Sequence, residues 1–253
     1  ILGTYFGLFF LLRRMMDLHD DTGSRKNTLQ IILVVAGIFF WSVAFPVPSA
    51  GERGKLSVTF LDVGQGDAIF IQSPDNHTML VDAGPGREQK YQVLRWLRKR
   101  GIFHLDIVVL THPHMDHMGG MYPVVREIPT SELWDSGQDH RDPLLQKIED
   151  SVTNRDGVVR VVTAGQVFHL TDVVTLEVLH PHTPPIQGSH SDFNNNSIVI
   201  RLRYYDTEFL LTGDVETEGE EQILQSGYNV ESDVLKVGHH GSRTSSSTDF
   251  LQR

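Results

Sequence analysis

The chain has 253 residues, 22 Lys and Arg against 32 Asp and Glu, a net charge of −10 and no cysteine. A length of this order holds one large domain or two small ones. The lack of thiols excludes cysteine-ligated zinc, disulfides and cysteine nucleophiles, and the acidic balance excludes a global basic field that would gather nucleic acid.

Ile1–Leu12 is apolar and reads as the end of a membrane span; the chain opens on Ile rather than Met, as a fragment would. Leu29–Phe45 is apolar apart from Gln30 and Ser42. As a helix it covers about 25 Å, close to the roughly 30 Å of a bilayer core, so a transmembrane helix is expected over 29–45. Arg13, Arg14, Arg25 and Lys26 mark the intervening loop as cytoplasmic, which places the chain beyond Phe45 on the extracytoplasmic side. A signal peptide cleaved near Pro48-Ser49-Ala50 and a buried core helix are the competing readings. Composition shifts near residue 50, giving a membrane segment over 1–50 and a separate domain over 51–253.

Within that domain Leu56, Val58 and Phe60 alternate as a strand, followed by a turn at Val63–Gly66. Ala68–Ile71 and Met79–Val81 are further strands, separated by Pro74-Asp75-Asn76. Gln89–Arg100 has helical spacing through Tyr91, Leu94 and Leu97, cations in its last turn and Gly101 as a stop. The apolar run Asp106–Leu110 reads as a buried strand. In the second half, Val173–Leu179 is a strand, and Ser197–Tyr204 sets Ile198, Ile200 and Leu202 on one face and Arg201 and Arg203 on the other. Glu208–Leu211 pairs with it as a hairpin through Tyr205-Asp206-Thr207; Glu216–Gln225 is helical and stops at Gly227; Val234–Val237 is a last strand. Strand-helix halves of this kind predict two facing sheets with helices outside.

The ligand chemistry lies at strand ends. His112, His114, Asp116 and His117 form H-x-H-x-D-H directly after the Asp106–Leu110 strand, where open α/β sheets bind ligands. His112 and His114 can face one metal ion, Asp116 and His117 a second. Asp82, Asp214 and the pair His239-His240 also follow apolar runs and precede or follow glycine. One such aspartate usually forms a turn; three such loops beside H-x-H-x-D-H point to a shared metal site.

Leu61–Ala68, Val81–Gly84, Thr111–Gly120, Asn194–Ser197, Leu211–Asp214 and Leu235–Ser247 together give the chain a resemblance to the metallo-β-lactamase fold superfamily. Within it, the sequence resembles the extracytoplasmic metallohydrolase domain of ComEC-type DNA-uptake (competence) membrane proteins. The resemblance implies an α/β fold, a four-layer αβ/βα metallo-β-lactamase sandwich preceded by a transmembrane helix, with two divalent ions, zinc or alternatively manganese, between the sheets. It implies that His112 and His114 hold the first ion, that Asp116 and His117 hold the second with His239 or His240, and that Asp214 bridges both. Asp82 is implied as an outer carboxylate that orients ligands, and the spare histidine of the 239/240 pair as a proton donor. The superfamily's further histidine on the first ion falls here at Asn194–Asn196; His180, His182 and His190 are alternatives. The family chain also continues beyond residue 253.

The implied activity is hydrolysis by a hydroxide bridging two ions, on a phosphodiester, as in a nuclease that handles single-stranded DNA at the membrane alongside the rest of a channel protein. Two other classes compete: a hydrolase of another ester, lactone or lactam, and a non-catalytic domain that guides DNA. Candidate DNA contacts are Arg95–Arg100, Arg201 with Arg203, and Ser242–Ser245, each equally readable as ordinary surface. Asp62 and Asp67 receive no role.

Overall fold

The computed structural model describes residues 54–86, 89–139 and 141–253. The segment 1–50, and with it the span expected over 29–45, lies outside the described residues. Among the described residues no helix is long and apolar enough to cross a membrane.

Six strands, β1 (Ser57–Phe60), β2 (Ile69–Gln72), β3 (Thr78–Val81), β4 (Leu105–Val109), β5 (Thr130–Asp135) and β6 (Val158–Val161), form one sheet in that order. β1 to β3 are an antiparallel meander, whereas β3 to β6 run parallel and need crossovers. Helices α1 (Gln92–Lys99), α2 (Met115–Met118) with α3 (Met121–Glu127), and α4 (Pro143–Thr153) supply them. The second sheet has the order β11 (Val234–Lys236), β10 (Thr207–Leu211), β9 (Val199–Tyr204), β8 (Val174–His180), β7 (Val167–Thr171). Short α5 (Asp192–Asn195) precedes β9, α6 (Thr217–Gln225) joins β10 to β11, and α7 (Thr248–Leu251) ends the chain.

Side-chain alternation builds the layers. Ile69, Ile71, Met79, Val81, Ile107 and Val109 pack toward the second sheet, while Phe70, Leu80 and Val108 pack toward α1, α3 and α4. On β9 and its approach, Ile198, Ile200 and Leu202 join the core between the sheets; Val199 instead joins Val215, Ile223 and Phe250 under α6 and α7. The result is helices, sheet, sheet, helices. In α1 the buried stripe is Val93, Leu94 and Leu97, and Tyr91, expected on it, faces solvent. β3 and β4 are parallel, as are β10 and β11, and each leads at its C-terminal end into one of the ligand-bearing loops.

Candidate metal centre

Asp82, just past β3, organises the first set of donors. Its Oδ1 accepts from the Thr111 backbone N–H at 2.9 Å, and its Oδ2 accepts from the Thr111 hydroxyl at 2.7 Å. The same Oδ2 lies 2.7 Å from His117 Nδ1. With its proton committed to Asp82, the Thr111 oxygen accepts from His112 Nδ1 at 3.1 Å. Both rings thereby keep a proton on Nδ1, which leaves Nε2 of His112 and of His117 as the atoms that can meet a cation. Burial holds the pKa of His112 well below the ordinary histidine value, keeping that ring neutral.

The Nε2 atoms converge on Asp214, at the end of β10. His117 Nε2 and His240 Nε2 lie 3.1 and 3.2 Å from its Oδ2, and His112 Nε2 and His239 Nε2 each lie 3.9 Å away. His240 Nε2 also stands 3.4 Å from Asp116 Oδ2, so that donor atoms of Asp116, His117, Asp214 and His240 all fall within 4.8 Å of one another. His112 Nε2 and His114 Nδ1 are 3.1 Å apart; two nitrogens on one zinc at about 2.0–2.1 Å stand roughly 3.3 Å apart in a tetrahedron. The eight residues singled out from the sequence, His112, His114, Asp116, His117, Asp82, Asp214, His239 and His240, are thus gathered in one place.

Three of them sit on left-handed backbone: Asp82 at φ 55°, His239 at 45° and His240 at 52°. Non-glycine residues pay about 1–3 kcal/mol for such conformations, which concentrate at functional sites. The consecutive pair at 239 and 240 separates the two rings. His240 joins Asp116, His117 and Asp214, with Nδ1 3.4 Å from Asp67; His239 turns Nδ1 to Glu216, 3.0 Å away.

The donor set fits divalent cations. His117 Nε2 and His240 Nε2 are buried and make no hydrogen bond, although each lies within 3.2 Å of Asp214 Oδ2. The two ring nitrogens converge on one carboxylate oxygen, as ligands of a shared cation do. Charge agrees: the carboxylates of Asp67, Asp82, Asp116, Asp214 and Glu216 each come within 3.4 Å of a histidine nitrogen, and one ammonium, Lys236, faces them. With neutral imidazoles, five carboxylates and one ammonium leave four negative charges, which two divalent ions cancel. Without ions, protons meet that charge. Burial opposes a charged His117, but Asp82 and Asp214 outweigh it and raise its pKa to about 10. Asp116, Asp214 and Asp67 push His240 up to about 11. Burial likewise opposes ionised Asp214, and His117 and His240 reverse it, holding its carboxyl far below the usual range.

The alternatives for the remaining position separate clearly. His180 Nε2 donates to the Asn195 carbonyl at 2.6 Å, and its Nδ1 meets His182, whose Nε2 lies 2.6 Å from the Ser226 hydroxyl. His190 is exposed. The side chains of Asn195 and Asn196 are taken up by Gly219, Ser189, Glu218, Ile186 and Asp192. Asn194 donates to Glu216 at 2.9 Å, and its buried Oδ1 has no hydrogen-bond partner.

Sequence reasoning missed Lys236, Glu216 and Thr111 and gave Asp67 no role. Lys236 is the one charged residue of β11, and Glu216 stands two positions past Asp214, so both carried a faint signal. Of the suggested DNA contacts, Arg201 is paired with Glu177 and Glu208 on the second sheet. Arg98 is paired with Glu127 and Arg100 stacks on Trp96. Because α1 connects parallel β3 and β4, its basic last turn lies at the N-terminal end of β4, opposite the His112–His117 loop.

Imidazoles and carboxylates at the strand ends of two facing sheets define a cation-binding α/β sandwich. The family model described as the Metallo-beta-lactamase superfamily matches residues 61–253, and the chain belongs to that superfamily. It is 28% identical to ComE operon protein 3 of Bacillus subtilis over 246 residues, covering 90% of this chain and 31% of that protein. It is 30% identical to Competence protein ComA of Neisseria gonorrhoeae over 221 residues, 87% of this chain and 28% of that protein. Recombination protein 2 of Haemophilus influenzae is 31% identical over 201 residues, 78% and 23% respectively. The chain therefore spans under a third of the length of these relatives. It is a metallo-β-lactamase-fold chain related to competence proteins.

Proposed function

We propose that the chain is a phosphodiesterase dependent on two divalent ions, zinc or manganese, acting on single-stranded DNA. His112 and His114, with Asn194 Oδ1 in the remaining place, hold one ion. Asp116, His117 and His240 hold the other, and Asp214 serves both. The supporting observation is the convergence of four imidazole nitrogens on Asp214 Oδ2, amid buried donors that make no hydrogen bonds. When bound, the ions supply Lewis acidity toward phosphate oxygens and lower the pKa of water.

The protein's own groups do the rest. Asp82 fixes the tautomers of His112 and His117, directly and through Thr111, so their lone pairs need no rearrangement during the reaction. Asp116 and Asp214 stay ionised as donors. His239, about one-third exposed and backed by Glu216, can carry a proton at Nε2 to the departing oxygen. Relatives named for competence and recombination support DNA as substrate, as does the resemblance to ComEC-type proteins. On this reading residues 1–50 form the membrane segment, with a span over 29–45. The hydrolase domain over 51–253 works on the extracytoplasmic side, beside the rest of a channel protein.

The test is turnover by the purified chain, loaded with manganese or zinc, on single-stranded DNA and a simple phosphodiester. Metal-dependent cleavage of either supports the proposal. Cleavage of a thioester, lactone or lactam with no phosphodiester turnover identifies a hydrolase of another class. DNA binding with no turnover of any ester identifies a guiding domain.

A further inference from the structure

The two oxygens of Asp214 face different partners. All four imidazoles make their nearest approach at Oδ2, whereas Lys236 makes its own at Oδ1, 3.6 Å away. Lys236 is only 9% exposed, unusual for a lysine and tolerable only with full pairing. Its ammonium donates to the Gly213 carbonyl at 2.7 Å and forms a close ion pair with Asp67 Oδ2. Asp67 in turn presents Oδ1 to His240 Nδ1 at 3.4 Å, and is locked in place because its backbone N–H donates to the Asp116 carbonyl and its own carbonyl accepts from Gly84. One ammonium thus ties the strand carrying the 239/240 pair, the loop after β1 and the central carboxylate together.

We propose that Lys236 is a fixed cation of the cluster, a positioning residue that engages Asp214 Oδ1 so that Oδ2 alone is presented to the divalent ions, with Asp67 as the anchor of the ammonium. This rests on the two-ion reading of the centre. It explains why a cluster of five carboxylates stops at two ions: the lysine takes the charge of a fifth acid that would otherwise draw in more cation. A lysine suits the task because its charge is compact, and it competes for no ligand position on an ion.

The experiment is calorimetric titration of the full chain with Mn²⁺, alongside the visible spectrum of the Co²⁺-loaded form, for the wild type and for Lys236→Met, Lys236→Arg and Asp67→Asn. Removing the positive charge should tighten Mn²⁺ binding at least tenfold, and removing the negative charge of Asp67 should weaken it at least tenfold. The Co²⁺ bands should move in Lys236→Met, as Asp214 Oδ1 becomes available to an ion, and return toward wild type in Lys236→Arg. If the lysine only fills space, Lys236→Met and Asp67→Asn will both weaken binding in step with lost thermal stability, with Co²⁺ bands unmoved, and the proposal is overturned. If Lys236→Met does not fold, Asp67→Asn and Lys236→Arg decide: a tenfold loss in the first with affinity kept in the second supports the proposal, and equal affinities overturn it. A wild-type chain that binds no Mn²⁺ instead overturns the two-ion reading itself.

Discussion

Asp82 grips His117 through Nδ1 at 2.7 Å, and the opposite ring nitrogen, Nε2, is left 3.1 Å from Asp214 Oδ2. One buried carboxylate therefore decides which face of a histidine can donate to a cation. In Asp82→Asn the amide presents N–H where the Oδ2 acceptor stood, and His117 must carry its proton on Nε2, aimed into the centre. Divalent-ion affinity and turnover should both fall about 10- to 100-fold. Titration with Zn²⁺ checks this; an unchanged affinity would mean that His117 is not held by Asp82 for a cation.

Asp214→Ala and Asp116→Ala should each abolish hydrolysis while leaving the two-sheet core intact. Neither side chain belongs to the apolar clusters that join the layers. Residual turnover should fall by at least about 1,000-fold, on the scale of losing an electrostatic anchor in an enclosed site. Circular dichroism of the two variants checks the fold, and wild-type rates in either one contradict the assigned roles.

In the cation-free chain, protons on His117 and His240 replace the ions. Their folded pKa values, about 10 and about 11, lie above the ordinary 6.5. Groups with raised values contribute stability that is complete below the unfolded pKa and is lost as pH climbs through the folded one. The melting temperature of the cation-free chain should therefore decline from about pH 6.5 to about pH 11. Cations must displace those protons, so their affinity should rise over the same range, with proton release visible in calorimetry across buffers of different ionisation heat. A flat melting profile and no proton release would show that these rings are neutral before the ions arrive.

Gly66 bears on the loop that delivers Asp67. A Cβ there would come within 2.1 Å of the Asp116 carbonyl oxygen, and φ is +131°. Gly66→Ala should cost about 2 kcal/mol or more in stability, and should push the two loops apart, with loss of cation binding. Chemical denaturation combined with metal titration checks both; a neutral substitution would show that the approach of the two loops is unimportant.

Much of this centre was legible because its ligands follow apolar strands and stand beside glycines. H-x-H-x-D-H, Asp82 and Asp214 announce themselves as chemistry that packing does not require. The histidine pair was visible, but which ring turns to Asp116 depends on two consecutive left-handed residues, a backbone choice that side-chain identity does not encode. Lys236 and Glu216 were hidden because a charged residue in a short strand or beside a helix start usually faces water; here both are buried, Lys236 against Asp67 and Glu216 against Asn194 and His239. In the fold, the two halves were readable from alternation, whereas β5, β6, β7 and every helix other than α1 and α6 were not anticipated. β6 is an edge strand with Val158 and Val161 exposed, so its pattern lacks a buried face. For α4 a signal existed, Asp142 capping Leu144 with Pro143 at the first turn.

The central claim is that distant segments build one site for two cations around Asp214. Its most direct test is the metal content per chain, by plasma mass spectrometry, after zinc loading and dialysis of the wild type and of Asp214→Ala. The account predicts two ions per wild-type chain and at most one in the variant. A wild type that retains no zinc, or a variant that retains as much as the wild type, would contradict it.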